Sequence, residues 1–392
     1  MRCEFDDVAL DSVITDIAAG PFGSNLRVSC FVSSGFPIID GANLKGFKVT
    51  DNITKFVTEE KARSLSRSIA KRNDVVVTIS GTLGQIAYIP QDSKYAAYLC
   101  SQRQFRVSFD DKTVYVPYLV YYFHTYEGQN KILSFANQTG VPALSQPLKN
   151  FRQIRVKLPD IDTQKKIAHI IESLDNKIEL NNKINENLEK QAEAIYQKCF
   201  GDVDIAKKQG ILSDICTYSK EKVAVSKLEA NTYFSTVNML PGKSGAAEAS
   251  TLPTAPQTTA CHIGDTLVSN IRPYFKKIVY CYNECGCSSD VLCFTPIHSK
   301  YAAYLYSTLY TDRFFDFMVS GSRGTKMPRG DKHQIMTYPV VLPSDTELDE
   351  FNSVVTPFLS LIHNNRNESR QLSLMRNTLL PKLMNGEFEV NG

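Results

Sequence analysis

Residues 174–200 read LDNKIELNNKINENLEKQAEAIYQKCF. From Ile171 onward, Ile171, Leu174, Ile178, Asn181, Asn185, Leu188, Ala192, Ile195 and Cys199 follow one another at steps of three and four, the rhythm of coiled-coil seam positions. Two of those seam positions are asparagines. A buried amide weakens a helix pair but penalises every misaligned register, because there it loses its hydrogen-bond partner. The stretch therefore predicts a long helix that pairs with a specific second helix.

A second copy of the pattern lies further along the chain. A separation of 184 residues takes Gly140 to Gly324, Leu158-Pro159 to Leu342-Pro343, Ile178 to Ile362, Asn181 to Asn365, Leu188 to Leu372 and Ile195 to Leu379. The copied seam runs Val355, Phe358, Ile362, Asn365, Ser369, Leu372, Arg376, Leu379 and Leu383, with Pro357 expected to start or kink it. Upstream, NDVVVTISGTLGQIAYI (73–89) faces GDTLVSNIRPYFKKIVY (264–280), and VPYLVYYFHT (116–125) faces AAYLYSTLYT (302–311). Val75–Val77 and Thr266–Val268 read as strands, and Tyr118–Phe123 and Tyr304–Leu309 as short helices. The expected fold class is α+β: two tandem mixed α/β domains, 1–159 and 201–343, separated by two long helices, 160–200 and 344–392, that form an antiparallel coiled coil in a pseudo-twofold repeat. Leu174, Ile178, Asn181, Leu188 and Ile195 would pair with Phe358, Ile362, Asn365, Leu372 and Leu379.

Composition narrows the function. The chain has 392 residues, 43% hydrophobic and 22% charged, as in globular proteins with sizeable cores. No apolar run approaches the ~18–20 residues that span a bilayer. The start, MRCEFDDVAL, lacks the basic and apolar regions of a signal peptide, so a cytoplasmic location with reduced cysteines is expected. Cys281, Cys285, Cys287 and Cys293, with His262 upstream, allow a zinc site or strand cysteines around a Gly286 turn; their intervals fit zinc poorly. Residues 1–159 carry a net +5 and 201–343 a net +3, against −2 and −3 for the two helical segments. Basic domains on acidic helices favour a polyanion such as DNA.

Candidate contact residues sit in turn-rich segments of both halves. In the first these are Ser24, Asn25 and Arg27; Ser80, Thr82 and Gln85; Ser101, Gln102, Arg103 and Gln104; and Thr139. In the second they are Asn270, Arg272, Tyr274 and Lys276; Ser288 and Asp290; and Arg323, Thr325 and Lys326. Such side chains hydrogen-bond base edges, and glycine-rich turns offer backbone N–H groups to phosphates. No Walker A, dinucleotide-binding glycine motif or H-E-x-x-H occurs in the sequence, so no catalytic or metal-binding residue is assigned.

The order of domain, LPDIDTQKKIAHIIESLDNKIELNN, second domain and LPSDTELDEF with a closing LLPKL and NGE resembles the specificity subunit of type I restriction-modification systems over nearly the whole chain. The target-recognition domains match more weakly, and TELDEF stands where the first half has the more typical Gln164. The resemblance implies a noncatalytic DNA reader whose two target-recognition domains each bind half of an interrupted site. It also implies that the helices dock two modification (methyltransferase) subunits. S-adenosylmethionine, ATP and Mg would then belong to those subunits and to restriction (translocase/nuclease) subunits, with no cofactor in this chain. Two other readings remain. A duplicated coiled-coil scaffold that binds only proteins would show no salt-dependent DNA binding, and a stand-alone methyltransferase or nuclease would need a cofactor or metal motif.

In this picture helix length sets the gap of the recognised site, since a helix rises ~1.5 Å per residue and B-DNA ~3.4 Å per base pair. Inserting four residues near Asn187, about one turn, should lengthen the gap by one or two base pairs and leave both half-site sequences unchanged. An active complex with an unchanged gap would show that the helices are not the ruler.

Overall fold

The computed structural model describes residues 5–137, 140–201 and 209–387. It divides into two compact units, residues 1–178 with 370–392 and residues 179–369, and both long helices contribute to both.

The first unit is built on a sheet of Ile14–Ala19, Gln104–Phe109, Val75–Thr78 and Ile86–Tyr88, in that spatial order. The run of three valines is explained by a sheet covered on both faces. Val75 and Val77 enter one core with Phe105, Val107, Leu119 and Tyr121, while Val76 points to the other side with Ile39, Ala87 and Tyr98. A smaller sheet orders Phe56–Val57, Phe36–Ile39, Ala97–Cys100 and Ile69–Lys71, in which Phe36–Ile39 and Ala97–Cys100 run parallel. Asp6–Ala9 pairs antiparallel with Arg155–Leu158 and brings the start of the domain beside the Leu158-Pro159 exit.

The second unit repeats this plan. Cys216–Tyr218, Val291–Pro296, Thr266–Ser269 and Ile278–Tyr280 form the matching sheet, and Gln209–Ile211 pairs with Pro339–Val341. Alternation recurs: Val268, Leu292 and Phe294 face one core, and Leu267, Val291 and Cys293 the other. In the smaller sheet Tyr233–Phe234, Cys285–Cys287 and Gln257–Cys261 match the three-strand set of the first unit, with the same single parallel pair. The fourth strand differs, because Phe56–Val57 flanks the parallel strand Phe36–Ile39 whereas Lys222–Ala224 flanks Gln257–Cys261 on the opposite edge.

Gly286 is not at a turn, as the sequence suggested, but inside the strand Cys285–Cys287. An added Cβ there would meet Leu228 Cδ1 at 2.6 Å and Thr258 Cγ2 at 2.9 Å, so close packing across the sheet requires the glycine. Cys261, Cys281, Cys285, Cys287 and Cys293 are all buried in one apolar cluster. His262 instead bonds Glu284 and Glu221, and among the described residues no group of three or more His, Cys, Asp or Glu is arranged to hold a metal. No helix among the described residues is long and apolar enough to cross a membrane.

The long helices begin where side chains satisfy their free backbone N–H groups. Asp160 accepts from the N–H groups of Asp162 and Thr163 and starts Ile161–Tyr196. Gln164, buried, donates to the carbonyls of Thr113 and Pro159 and accepts from Tyr115 N–H, tying the helix to its domain. In the second helix, Asp345–Met384, a reciprocal cap between Ser344 and Glu347 does the starting, and Leu348 occupies the Gln164 position as a buried apolar residue. The departure in TELDEF thus keeps the cap and exchanges an amide anchor for an apolar one. Pro357 neither starts nor ends the helix, which continues through it; the start belongs to the Ser344–Glu347 cap.

The helices pair antiparallel within each unit. In the first, Ile167, Ala168 and Ile171 pack with Leu380, Leu383 and Met384, and Arg376 meets Asp175 at 2.6 Å. In the second, Asn181 Nδ2 donates to Glu368 Oε2 (2.8 Å) and Ser369 Oγ (3.2 Å), Asn365 Nδ2 donates to Asn185 Oδ1 (2.9 Å), and Arg366 pairs with Glu189. Asn181, Ile362 and Asn365 are buried; Leu174, Ile178, Leu188, Ile195, Phe358, Leu372 and Leu379 are half-buried. Toward the domain the fully buried stripe advances by four, through Ala192, Tyr196 and Phe200, against Phe351, Val355 and Leu359. A straight helix drifts off a strict heptad, and the aromatic residues follow that drift.

Asn365→Ala should cost ~1–3 kcal/mol in urea unfolding, because it leaves the buried Asn185 carbonyl without its donor. Replacing Asn185 and Asn365 together by Leu should recover that loss. An unchanged midpoint in the single variant would contradict the register-fixing role.

Candidate nucleic-acid interface

Three backbone hydrogen bonds gather the candidate loops of each unit. In the first, Ile79 N–H donates to Arg103 O (2.7 Å), Leu144 N–H to Ile79 O (2.8 Å) and Gly81 N–H to Pro142 O (3.0 Å). In the second, Asn270 N–H donates to Asp290 O (2.9 Å), Gly330 N–H to Asn270 O (3.2 Å) and Arg272 N–H to Pro328 O (2.8 Å). The bonds correspond one for one. They join a strand-connecting loop (79–85 or 270–277), the turn before the central strand (101–104 or 288–290) and a third loop (140–144 or 323–330).

In the first unit the Gly20–Arg27 loop joins this group. Gly20 N–H donates to Gln104 O, and a Cβ on Gly20 would sit 1.8 Å from Ser101 O, so only glycine permits the approach. This loop presents Ser24, Asn25 and Arg27, with Phe22 82% exposed. Thr82, Gln102 and Arg103 are also exposed, while Ser80 and Ser101 are half-buried. Gln85 and Gln104 are held internally. Gln85 donates to Gly41 O and accepts from Thr78 Oγ1, and Gln104 accepts from Ser101 Oγ and is 1% exposed. Thr139 lies outside the described residues.

The second unit brings Asn270, Arg272, Tyr274, Lys276, Ser288, Asp290, Arg323, Thr325 and Lys326 into one loop cluster. Asn270 Oδ1, Ser288 Oγ and Arg272 Nε are buried without a hydrogen-bond partner among the described residues, and Asn270 as a whole is buried. Tyr274 is 50% exposed beside Phe275, their rings 4.8 Å apart. Arg323 is exposed and reaches Asp331 at 3.2 Å. The N–H groups of Gln334 and His333, with Arg323 nearby, hold the Asp331 carboxyl below its usual range. Lys276 shares Asp312 with Lys243. Arg329, absent from the sequence expectations, joins the cluster at 3.2 Å from Asp290. The signal for it was Pro328, the structural counterpart of Pro142, which lies two residues off the 184-residue register.

The strand-connecting loops differ at two left-handed positions. In the first unit these are Gly81 (φ 98°) and Gly84 (φ 84°), and in the second Arg272 (φ 50°) and Lys276 (φ 51°). A side chain in this region costs of order 1–3 kcal/mol, so the second unit accepts strain at two positions, both of which carry cations. Arg272→Gly should preserve or raise thermal stability while weakening DNA binding several-fold. Stability and binding falling together would make Arg272 a structural residue instead.

Comparison with known proteins follows the same lines. Residues 31–190 match the family model described as type I restriction modification DNA specificity domain. The HindI type I restriction enzyme specificity subunit of Haemophilus influenzae is 37% identical over 81 residues, a match spanning 20% of this chain and 18% of that protein. The MjaIX specificity subunit of Methanocaldococcus jannaschii is 20% identical over 364 residues, 85% of this chain and 82% of its own. Among solved structures, the type I restriction-modification S subunit from M. genitalium superposes with a TM-score of 0.65 at 13% identity, covering 97% of this chain and 96% of that one, a likeness of fold. Over residues 31–190 the chain is therefore similar to type I restriction-modification DNA specificity domains.

Proposed function

We infer that this chain is the DNA-sequence-recognition subunit of a type I restriction-modification complex, each unit reading one half of a bipartite, interrupted site in double-stranded DNA. The observation that carries this reading is the repeated set of three backbone bonds, on whose matched loops the first unit carries Arg, Gln and Ser side chains and the second Arg, Lys, Ser and Asp. Matched frameworks with different side chains suit two different half-sites, whereas a pure protein scaffold gives no reason for cations at strained positions.

The chain itself is noncatalytic in this reading. Its two long helices dock modification subunits, two per chain, and restriction subunits complete the complex. S-adenosylmethionine serves adenine methylation in the modification subunits, and ATP and Mg serve the restriction subunits. The complex acts in the cytoplasm.

Co-expression with the modification subunit, followed by genome-wide mapping of methylated adenines, tests the reading. Replacing residues 1–159 with the corresponding domain of another specificity subunit should change one half of the methylated motif and preserve the other. A change in both halves would contradict it, as would methyl transfer by the isolated chain. DNA affinity should fall steeply with salt as phosphate contacts release counterions.

A further inference from the structure

The two units share a backbone frame but differ in what two of its positions carry. Asp290 and Arg103 are equivalent, since each offers its carbonyl to the first residue of the strand-connecting loop. Arg329 and Ala143 are equivalent, since each forms the isolated bridge to the second loop residue, Ile271 or Ser80. Bonds through Asn270, Ile271 and Gly330 thus fix the main chain at both Asp290 and Arg329. Their side-chain tips meet at 3.2 Å while remaining 41% and 54% exposed. Arg323 and Lys326 lie on the same loop as Arg329, and Arg272 on the strand-connecting loop bonded to it.

A carboxylate on a surface that binds a polyanion is repelled by phosphates, so it weakens binding unless it meets a donor. The donors a duplex offers in its major groove are the amino groups of cytosine and adenine, and Asp characteristically accepts from cytosine N4. Arginine's fork matches O6 and N7 of guanine. A guanidinium and a carboxylate held side by side therefore present the complement of a single G·C pair: two donors for guanine and one acceptor for cytosine. The exposed ion pair between them is weak, so both groups can turn to the bases at little cost.

We propose that Asp290 and Arg329 together read one G·C base pair in the half-site of the second unit, and that positions 103 and 143 are the corresponding reading positions of the first. The proposal rests on the DNA-recognition reading above. It names which pair of framework positions sets specificity and which base pair one of them selects.

The test uses the complete complex with its modification subunits and a panel of duplexes in which each second-half base pair is changed in turn. The wild-type complex should show one position where G·C is preferred by ~10- to 100-fold. Arg329→Lys and Asp290→Asn, which keep size and backbone, should reduce that preference while leaving first-half discrimination intact. The double variant Asp290→Arg with Arg329→Ala, which installs the first unit's residues, should change the base specified at that position alone. A wild-type second half with no G·C preference overturns the proposal, as does full retention of the preference in both single variants. A complex that binds no duplex selectively would instead remove the DNA-recognition reading itself, which keeps the two failures apart.

Discussion

The loops that both units bring to the candidate interface depend on three backbone hydrogen bonds that tie a strand-connecting loop to a turn and to a third, distant loop. Because they involve only N–H and carbonyl groups, they are indifferent to the side chains at the same positions. Arg103 and Asp290 accept the same bond, and Gly81 and Arg272 donate the same one. Such a frame lets recognition chemistry vary without refolding the domain. The frame constrains conformation at these positions, and residue identity only where a glycine or proline is needed.

The two long helices follow the opposite logic. Their pairing uses side chains, and the polar ones are specific: Asn365 donates to Asn185, while Asn181 reaches Glu368 and Ser369. Burial of leucine or isoleucine stabilises by ~1.5–3 kcal/mol each in almost any register. At Asn181, 0% exposed, this register supplies Glu368 and Ser369 to Nδ2 but leaves Oδ1 buried without a partner among the described residues, so the register is fixed through the donor side of the amide. Stability therefore comes from the apolar stripe, and alignment from the amides.

Much of this was legible in the sequence. The duplication, the strands around Val75 and Thr266, the paired helices and the asparagine seam all follow from periodicity and a constant separation, which are local or additive signals. What escaped depended on side-chain partners and loop lengths that periodicity does not encode. Gln85 and Gln104 have the composition of base readers; Gln85 is held by Thr78 and by Gly41, 44 residues away, and Gln104 accepts from Ser101, three residues away. Arg329 was missed because the third loop of the second unit is two residues longer between Gly324 and Pro328 than between Gly140 and Pro142. Pro357 read as a start or kink, but the Ser344–Glu347 cap had already begun the helix upstream.

Hydrogen exchange of the intact complex, with and without its cognate duplex, tests the central claim most directly. The account predicts new protection in both units at residues 79–85, 101–104 and 140–144 and at 270–277, 288–290 and 323–330, with the long helices unchanged by DNA. Protection confined to the helices, or to strands away from these loops, would contradict it.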